Sequence, residues 1–453
     1  MTGCVRIALA VATALWAALL IAAPAAAQRD GAELHDMVLA GFHDLQGRGA
    51  YQPVIHLQGG RWIAYVGHHG GSAMNPLTGV SEQNGTSQID VTDPARPVLL
   101  HHIPGSGGGA QMVRICDGKT LPGATRDRTY LLRTRGDVAH EVWDVTLPGP
   151  PQRVSVVADG LHGTHKNWWE CDTGIAYLVS GVPGWRTSRM TQVFDLADPR
   201  QPQFIRDYGL PGQEPGAGGG VPTGLHGTIS TGPAGNRIYF GHGTASGGIL
   251  QIVDRDKLLK GAAAPTRANL LYPQAGRYDL DPNYGAHTAF PVTGMEVAGP
   301  DGRKVKRDFV VVTNEALSDG CGGAQQKVWI VDVTEETKPK VASTWALDPK
   351  GGNYCARPGR IGAHSSHENF TSIYYRRLMF IAHFNAGVRV LDIRDPYRPR
   401  EVAWYVPAAK GRAVTTNNVE VDDRGYIYIV DRHGLGLHVL ELAGTARKIA
   451  NLR

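Results

Sequence analysis

The chain has 453 residues, of which 42% are hydrophobic and 19% are charged, the balance of a globular protein with enough length for a sizeable core. Its formal net charge of +5 is spread along the chain without a long run of Lys and Arg, which argues against nucleic-acid binding. Glycine (58 residues) and proline (28 residues) are frequent and helical periodicity is scarce, so the composition favours many short strands joined by turns.

The first 27 residues have the pattern of a secretory signal peptide. Arg6 precedes an apolar run over residues 7–23, and the small residues Ala25, Ala26 and Ala27 follow. We expect cleavage after Ala27, a mature protein that is not held in a membrane, and a location in the periplasm or outside the cell. The alternative is an uncleaved membrane anchor. Residues 28–453 are expected to form a single domain.

One phrase recurs along the rest of the chain: an alternating apolar strand that ends in Asp, and then a turn that contains Pro. The phrases end at Asp90, Asp144, Asp195, Asp254, Asp332 and Asp392, and a degenerate seventh copy ends at Glu441. A second strand precedes each phrase, a short strand opens each unit, and a fourth strand follows the turn. Alternation places apolar side chains between neighbouring units, and the Asp-Pro corner ends a strand.

Four strands in each of seven units predict an all-β fold, a seven-bladed β-propeller. The alternatives are an array of β-sandwiches or a β-helix, but the units are too regular for the first and too long for the second. The last unit stops at its third strand, around Leu437–Leu442, while Met37–His43 resembles the other fourth strands. We therefore expect this N-terminal strand to complete the seventh blade and to close the propeller.

The segments Val328–Asp332 and Val388–Asp392, together with the Asp-Pro-x-x-Pro turn after the second, carry a resemblance to a known family. They resemble the repeats of the LVIVD-repeat family of bacterial propellers. The resemblance covers most of the mature chain. It implies the propeller fold and the bacterial, secreted character of that family, and it implies no particular activity.

Four cysteines follow the signal peptide: Cys116, Cys171, Cys321 and Cys355. An even number in an export compartment permits two disulfides, which can be paired in three ways. The sequence alone does not choose among the three. On a propeller, Cys321 and Cys355 fall in loops on one face of adjacent blades, and Cys116 and Cys171 follow the first strands of two other adjacent blades. We therefore predict the bridges Cys321–Cys355 and Cys116–Cys171.

Histidine recurs near the start of the first strand in four consecutive units. Each copy reads Gly-x-His, and the histidines are His162, His226, His287 and His364. The first strand of a propeller blade lines the central channel, so equivalent positions form a circle around the axis, where other units carry Tyr51, Gln111 and Thr415. We predict that the four histidines bind one transition metal ion, either Fe, Cu, Mn or Zn. His165 and His367 are additional candidates on the same strands.

A second set of polar side chains falls at the ends of the second strands. The set comprises His68, His242 and His383, and Glu315 follows the second strand of the fifth unit. Because the second strand runs antiparallel to the first, its end is expected on the same face as the first set. We predict catalytic roles for these four residues, and Glu315, Glu368 and Asp431 are placed to orient ligand histidines. The alternative is a metal-free pocket for binding or acid–base chemistry.

These patterns favour a metal-dependent periplasmic or secreted enzyme, an oxidoreductase or oxygenase that acts on a small organic substrate. In architecture alone it resembles histidine-ligated propellers such as the carotenoid-cleaving oxygenases and the copper-dependent methanethiol oxidases. The first alternative is a polysaccharide lyase with a histidine-based site, for which Arg186, Arg189 and Tyr284 are available. The second alternative is a secreted scaffold without catalytic activity, because a fold does not determine a function.

Overall fold

The computed structural model describes residues 31–299, 301–409 and 411–452, and these residues form mainly short β-strands. The predicted signal peptide lies outside the described residues. In chain order the strands are β1 (Glu33–His35), β2 (Met37–His43), β3 (Ala50–Gln58), β4 (Arg61–His69), β5 (Ser72–Asn75), β6 (Val80–Gln83), β7 (Thr86–Asp90), β8 (Val98–Ile103), β9 (Gly109–Ala110), β10 (Val113–Asp117), β11 (Thr129–Arg135), β12 (Ala139–Asp144), β13 (Gln152–Ala158), β14 (Asn167–Trp169), β15 (Ile175–Ser180), β16 (Met190–Asp195), β17 (Gln203–Tyr208), β18 (Leu225–Ser230), β19 (Arg237–His242), β20 (Ile249–Asp254), β21 (Gln274–Asp279), β22 (Thr288–Ala298), β23 (Lys304–Thr313), β24 (Val328–Asp332), β25 (Lys340–Trp345), β26 (Ile361–Ser366), β27 (Leu378–Phe384), β28 (Val388–Asp392), β29 (Arg400–Val406), β30 (Thr416–Val421), β31 (Tyr426–Asp431) and β32 (Leu437–Leu442).

Helices are few and short. They are α1 (Gly232–Gly235), α2 (Arg255–Lys260), α3 (Arg267–Leu271) and α4 (Gly444–Ile449), with 3-10 turns at Leu45–Gly47 and Tyr354–Ala356. The helices α2 and α3 lie between the third and fourth strands of one sheet. Within the described ranges, no helix is long and apolar enough to cross a membrane.

The strands form successive antiparallel meanders of four. Four separate sheets consist of β10–β13, β14–β17, β18–β21 and β22–β25. An earlier sheet has the order β3-β4-β7-β8, with β9 added at the end of β4. The last sheet combines β26–β29 with β30–β32 through one pairing, between Phe384 and Thr416. Meanders of this kind are the units of a β-propeller, so the all-β prediction and the four-stranded units are confirmed.

Apolar side chains fill the spaces between consecutive sheets, as the alternation predicted. Tyr177 and Val193 of one sheet pack with Ile238 and Phe240 of the next, and all four are buried. The aspartates that end the third strands make the predicted corners. Asp195, for example, accepts a hydrogen bond from the backbone N–H of Ala197 at 2.7 Å, two residues further along the chain.

The N-terminal segment adds strands to the last sheet. β2 runs antiparallel to β32, with Met37 opposite Leu442 and His43 opposite Leu437. Met37 and Leu39 are buried in the core that also contains Leu440 of β32. β1 pairs with β29 in the same sheet. The strand that the sequence predicted at Met37–His43 is therefore present, on the edge of β32.

Two disulfides link neighbouring sheets, and both are the predicted pairs. Cys116 at the end of β10 is bonded to Cys171 after β14, with Cα atoms 5.3 Å apart. Cys321 is bonded to Cys355, with Cα atoms 5.4 Å apart. Disulfides form and persist in oxidising compartments, so the pair of bridges indicates that the chain folds in one.

Candidate metal centre

Six polar side chains from different sheets converge in the interior of the protein. This group, called the histidine cluster below, consists of Tyr51, His165, His226, His287, Glu315 and His364, all of which are buried. The Nε2 atoms of His165 and His226 are 3.0 Å apart, and the Tyr51 hydroxyl lies 3.0 Å from Nε2 of His165. The carboxylate of Glu315 lies 3.7 Å from Nε2 of His226 and 3.6 Å from Nε2 of His364.

The starts of the inner strands position the histidines of this cluster, and glycine residues let the backbone adopt the required conformation there. His226 lies on β18 and His364 on β26, while His287 directly precedes β22. At Gly285, two residues before His287, a Cβ atom would lie 1.7 Å from the carbonyl oxygen of Thr244. Gly362, two residues before His364, has φ +135°. At these two copies of the Gly-x-His repeat, glycine is thus required by backbone that passes close by or by a positive φ.

Partners of the second imidazole nitrogen orient two of the histidines. Nδ1 of His364 lies 2.5 Å from the backbone carbonyl oxygen of Asn417, which can only accept a hydrogen bond. Nδ1 of His364 therefore carries the proton, and the lone pair of Nε2 faces Glu315. Nδ1 of His287 lies 2.9 Å from the hydroxyl of Thr288. Such contacts of the outer nitrogen are the usual way in which a ligand histidine is held in place.

Burial keeps the histidines of the cluster neutral. It lowers the pKa of His165, His226, His287 and His364 well below the ordinary value, and positive charges nearby, including that of Lys166, lower it further. Burial also raises the pKa of the Glu315 carboxyl, although the charges of arginine side chains oppose this change. Neutral imidazole is the form that binds metal ions.

Charged groups enclose the cluster. Lys166 donates a hydrogen bond to Glu368 at 2.7 Å, and Arg114 binds the other oxygen of the same carboxylate. Burial alone would raise the pKa of Glu368, but Lys166 and Arg114 hold it at about 2. Arg360 lies 3.5 Å from Glu315. The charges of Arg189 and Lys166 also act on Glu315, the carboxylate of the cluster.

The closest donor atoms of the cluster, 3.0 Å apart for His165 and His226 and 3.6 Å apart for Glu315 and His364, have the spacing of metal ligands. Two donors bonded to one ion at about 2.0–2.2 Å lie about 2.8–3.6 Å apart when the angle between the bonds is about 90–110°. Two sets of three donors each lie within 4.8 Å of one another: one consists of His165, His226 and His287, and the other of His287, Glu315 and His364. The first is a three-histidine set of the kind that zinc and copper use, and the second is a two-histidine, one-carboxylate set that suits non-haem iron.

Three of the four predicted metal ligands, His226, His287 and His364, lie in this cluster, and Glu315 lies with them. His162 does not, because its side chain is exposed and its backbone pairs with Gly181. His165, three residues further along the chain, takes that place. The inner strand of this sheet begins only at Asn167, so the chain before it does not follow the register of the other units.

The other predicted histidines have neighbours within their own or adjacent sheets. Nε2 of His68 lies 2.8 Å from the Ser87 hydroxyl, and Nε2 of His242 lies 3.2 Å from the Gln251 side chain. The His383 imidazole packs against Trp345, with centroids 6.0 Å apart. Among the described residues, no hydrogen bond, ion pair or ring contact joins these three side chains to the histidine cluster. Their predicted catalytic role would therefore have to be indirect.

The remaining candidates differ in their surroundings. His367 packs against Phe290, with centroids 5.1 Å apart, and its Nδ1 accepts a hydrogen bond from the backbone N–H of Phe380. Asp431 accepts backbone hydrogen bonds from Thr415 and His433 and so fixes a turn. Lys166 is a charged residue near the site that the repeat pattern did not single out, although its position directly after His165 was a signal that could have identified it.

The chain is similar in structure to the WD40 domain of coronin from Toxoplasma gondii. The match covers 91% of this chain and 87% of that chain, with a TM-score of 0.50 and 12% sequence identity. The fold is a β-propeller. At this level of identity, the likeness of the two propellers concerns the fold alone. No protein-family model matches the chain and no curated protein matches it, so the resemblance to the LVIVD-repeat family rests on the repeat phrases.

Proposed function

We propose that the protein is a metal-dependent enzyme of the periplasm or the extracellular space, an oxidoreductase or oxygenase that acts on a small organic substrate. The histidine cluster would hold one Fe, Cu, Mn or Zn ion. The observation that carries the proposal is the convergence of four neutral imidazoles and one carboxylate, with neighbouring donor atoms 3.0–3.7 Å apart. A metal ion bound there would supply a Lewis-acid or redox centre.

The donor types support this choice of metals. Imidazole and carboxylate suit these four ions, and the cysteines in the described residues are in disulfides and so do not offer thiolates. Access from solvent supports an enzyme rather than a structural metal site. A surface pocket of about 330 Å³ has His226 in its wall, and a catalytic metal site needs a route by which substrate reaches the coordination position that the protein leaves open.

The protein's own residues have separable tasks in this proposal. Asn417 fixes the tautomer of His364 through its backbone carbonyl oxygen, and Thr288 restrains His287. Glu315 supplies the negative charge that a cation requires. The Tyr51 hydroxyl, between His165 and His287, is placed to hold a proton at the edge of the cluster.

A polysaccharide lyase is the second candidate, and one observation favours it. The Tyr51 hydroxyl and the imidazole of His165 are in hydrogen-bond contact, and the charge of Arg189 acts on both. To abstract the proton next to a uronate carboxylate, an enzyme needs a base and a nearby cation that neutralises the carboxylate. A lyase of this kind would work without a transition metal, and so would a non-catalytic scaffold, which separates both from the first candidate.

We also propose that the propeller has seven blades and that β2 closes it. The support is the pairing of β2 with β32 and the sequence of four-stranded meanders from β3 to β32. With β2 counted as the fourth strand of the last unit, each of the seven units contains a four-stranded meander, and β1 and β9 are short additions to two of them.

The experiment that tests the function is elemental analysis of protein purified from its oxidising compartment without an affinity tag that binds metals. We expect about one transition metal ion per chain, loss of that ion on dialysis against a chelator, and recovery on addition of the same metal. Protein that carries no transition metal and binds none after reconstitution would exclude the first candidate. Activity of such metal-free protein on a polyuronate would then support the lyase.

A further inference from the structure

The pocket over His226 contains a positively charged side chain that the cluster itself does not use. Arg189 lines this pocket together with Gly224 and the hydroxyl-bearing residues Thr244 and Ser246. A Cβ atom at Gly224 would lie 3.4 Å from Cβ of Arg189, so these two residues lie side by side in the wall of the pocket. The pocket thus has an arginine on one side and a cluster imidazole on another.

The guanidinium of Arg189 differs from those of nearby arginines, because it has no acceptor among the residues that the structure describes. Arg360 pairs with Glu315, and Arg432 donates a hydrogen bond to the Asn417 side chain at 3.2 Å. Arg186 donates to three backbone carbonyls in the loop that precedes β18. Among the described residues, no acceptor forms a hydrogen bond or an ion pair with the Arg189 side chain. Its donors are available to a ligand.

We propose that this pocket binds the carboxylate of a small organic acid through Arg189 and thereby places the rest of that molecule beside His226. The planar guanidinium of Arg189 has two parallel N–H donors that match the two oxygens of a carboxylate. A neutral group on the ligand would leave the positive charge of Arg189 unpaired. This inference rests on the proposed function, because it names the substrate class of the same site.

A neighbouring cavity indicates that the part of the acid beyond its carboxylate is apolar. This cavity, of about 450 Å³, shares Ser246 with the first pocket, and its wall includes the apolar side chains of Ala316, Leu317 and Ile361. A carboxylate held at Arg189 therefore has an adjoining apolar space on the same surface. The pair of cavities fits an acid with an apolar body, such as an aromatic acid, better than a compact inorganic anion.

Calorimetric titration with benzoate and with benzamide, its neutral isostere, tests the proposal on the full-length mature protein. The titrations use chelator-treated protein and metal-loaded protein in parallel. We expect benzoate to bind both forms, benzamide to bind at least 10-fold more weakly, and Arg189→Gln to weaken benzoate about 10- to 100-fold, the effect of removing a charged hydrogen-bond donor pair. Arg189→Lys keeps the charge without the planar pair of donors and should weaken benzoate by less.

Arg186→Gln is the matched control, since Arg186 is a neighbouring arginine whose donors are already used, and it should leave benzoate binding unchanged. Benzoate that binds only to metal-loaded protein and is indifferent to Arg189→Gln would overturn the proposal, as would equal binding of benzamide, tighter binding of inorganic phosphate, or no binding at all. Because the chelated protein is measured separately, failure to bind metal would sink the proposed metal enzyme while the result for the carboxylate pocket would still stand.

Discussion

Replacing His226 by alanine tests the metal centre most directly. His226 contributes a donor atom to the three-histidine set and is the cluster residue in the wall of the surface pocket. A four-ligand metal site has a binding free energy of about 10–16 kcal/mol, so each ligand contributes about 2.5–4 kcal/mol. At about 1.4 kcal/mol for each tenfold change, the loss of one ligand should weaken metal binding about 10²- to 10³-fold.

His162→Ala is the control for this experiment. The sequence places His162 and His226 at the same repeat position, but His162 is exposed and outside the cluster. The alanine variant of His162 should therefore bind the metal as the parent does. The assay is competition with a chromophoric chelator, together with elemental analysis, on both variants and on the parent.

The fold should survive the change at His226, because the apolar packing between sheets does not depend on this imidazole. A small decrease in Tm is expected from the lost contact with His165, and circular dichroism should remain that of the parent. Undiminished metal affinity in His226→Ala, or a loss in His162→Ala as large as in His226→Ala, would refute the placement of the metal in the histidine cluster.

Three other predictions concern stability. Leu39→Ala, in the buried face of β2, should lower the free energy of unfolding by about 2–5 kcal/mol, whereas Val38→Ala on the exposed face should change it by less than about 0.5 kcal/mol; urea unfolding measures both. Replacing Cys321 and Cys355 by serine opens a loop of 34 residues and should lower the free energy of unfolding by about 3–4 kcal/mol in the same assay. The reference is the parent protein without reductant, in which the disulfide stays intact. Burial lowers the pKa of His242 to about 4. Below about pH 6.5 the unfolded chain therefore binds a proton on this imidazole that the folded chain does not bind, so the free energy of unfolding falls as the pH falls from 6.5 to 4. His242→Asn should reduce that slope by about one proton, and an unchanged slope would contradict the assignment.

The repeat units could be predicted from the sequence because their signals are local. The apolar alternation and the Asp at the corner both lie within five or six consecutive residues. They located the third strands that end at Asp195 and Asp392. The disulfide pairs followed once those units were placed on neighbouring sheets. His226, His287 and His364 followed because the inner strands of their units keep a common start.

Side-chain direction could not be predicted in the same way, because one residue of register reverses it. His68 and His69 are adjacent at the end of β4, and the sequence predicts a catalytic role for His68. In the structure, His68 faces Ser87, while the His69 imidazole lies 5.3 Å from the centre of the Tyr51 phenol, edge to face. The two neighbours point to opposite sides of the strand. Irregular backbone had the same effect at His162, where the spacing from glycine repeats that of the other units but the strand starts late.

The charges around the cluster couple the binding of the metal ion to the binding of the organic acid. Lys166 lies on one side of the histidines, and Arg189 and Arg360 act on Glu315 from their own positions. A divalent ion bound to neutral imidazoles there is repelled by these cations, and Glu315 compensates only one charge. A carboxylate at Arg189 would neutralise one of them and add a negative charge near the ion. Metal and organic acid should therefore each strengthen the binding of the other, and thermodynamic linkage requires that the two enhancements be equal.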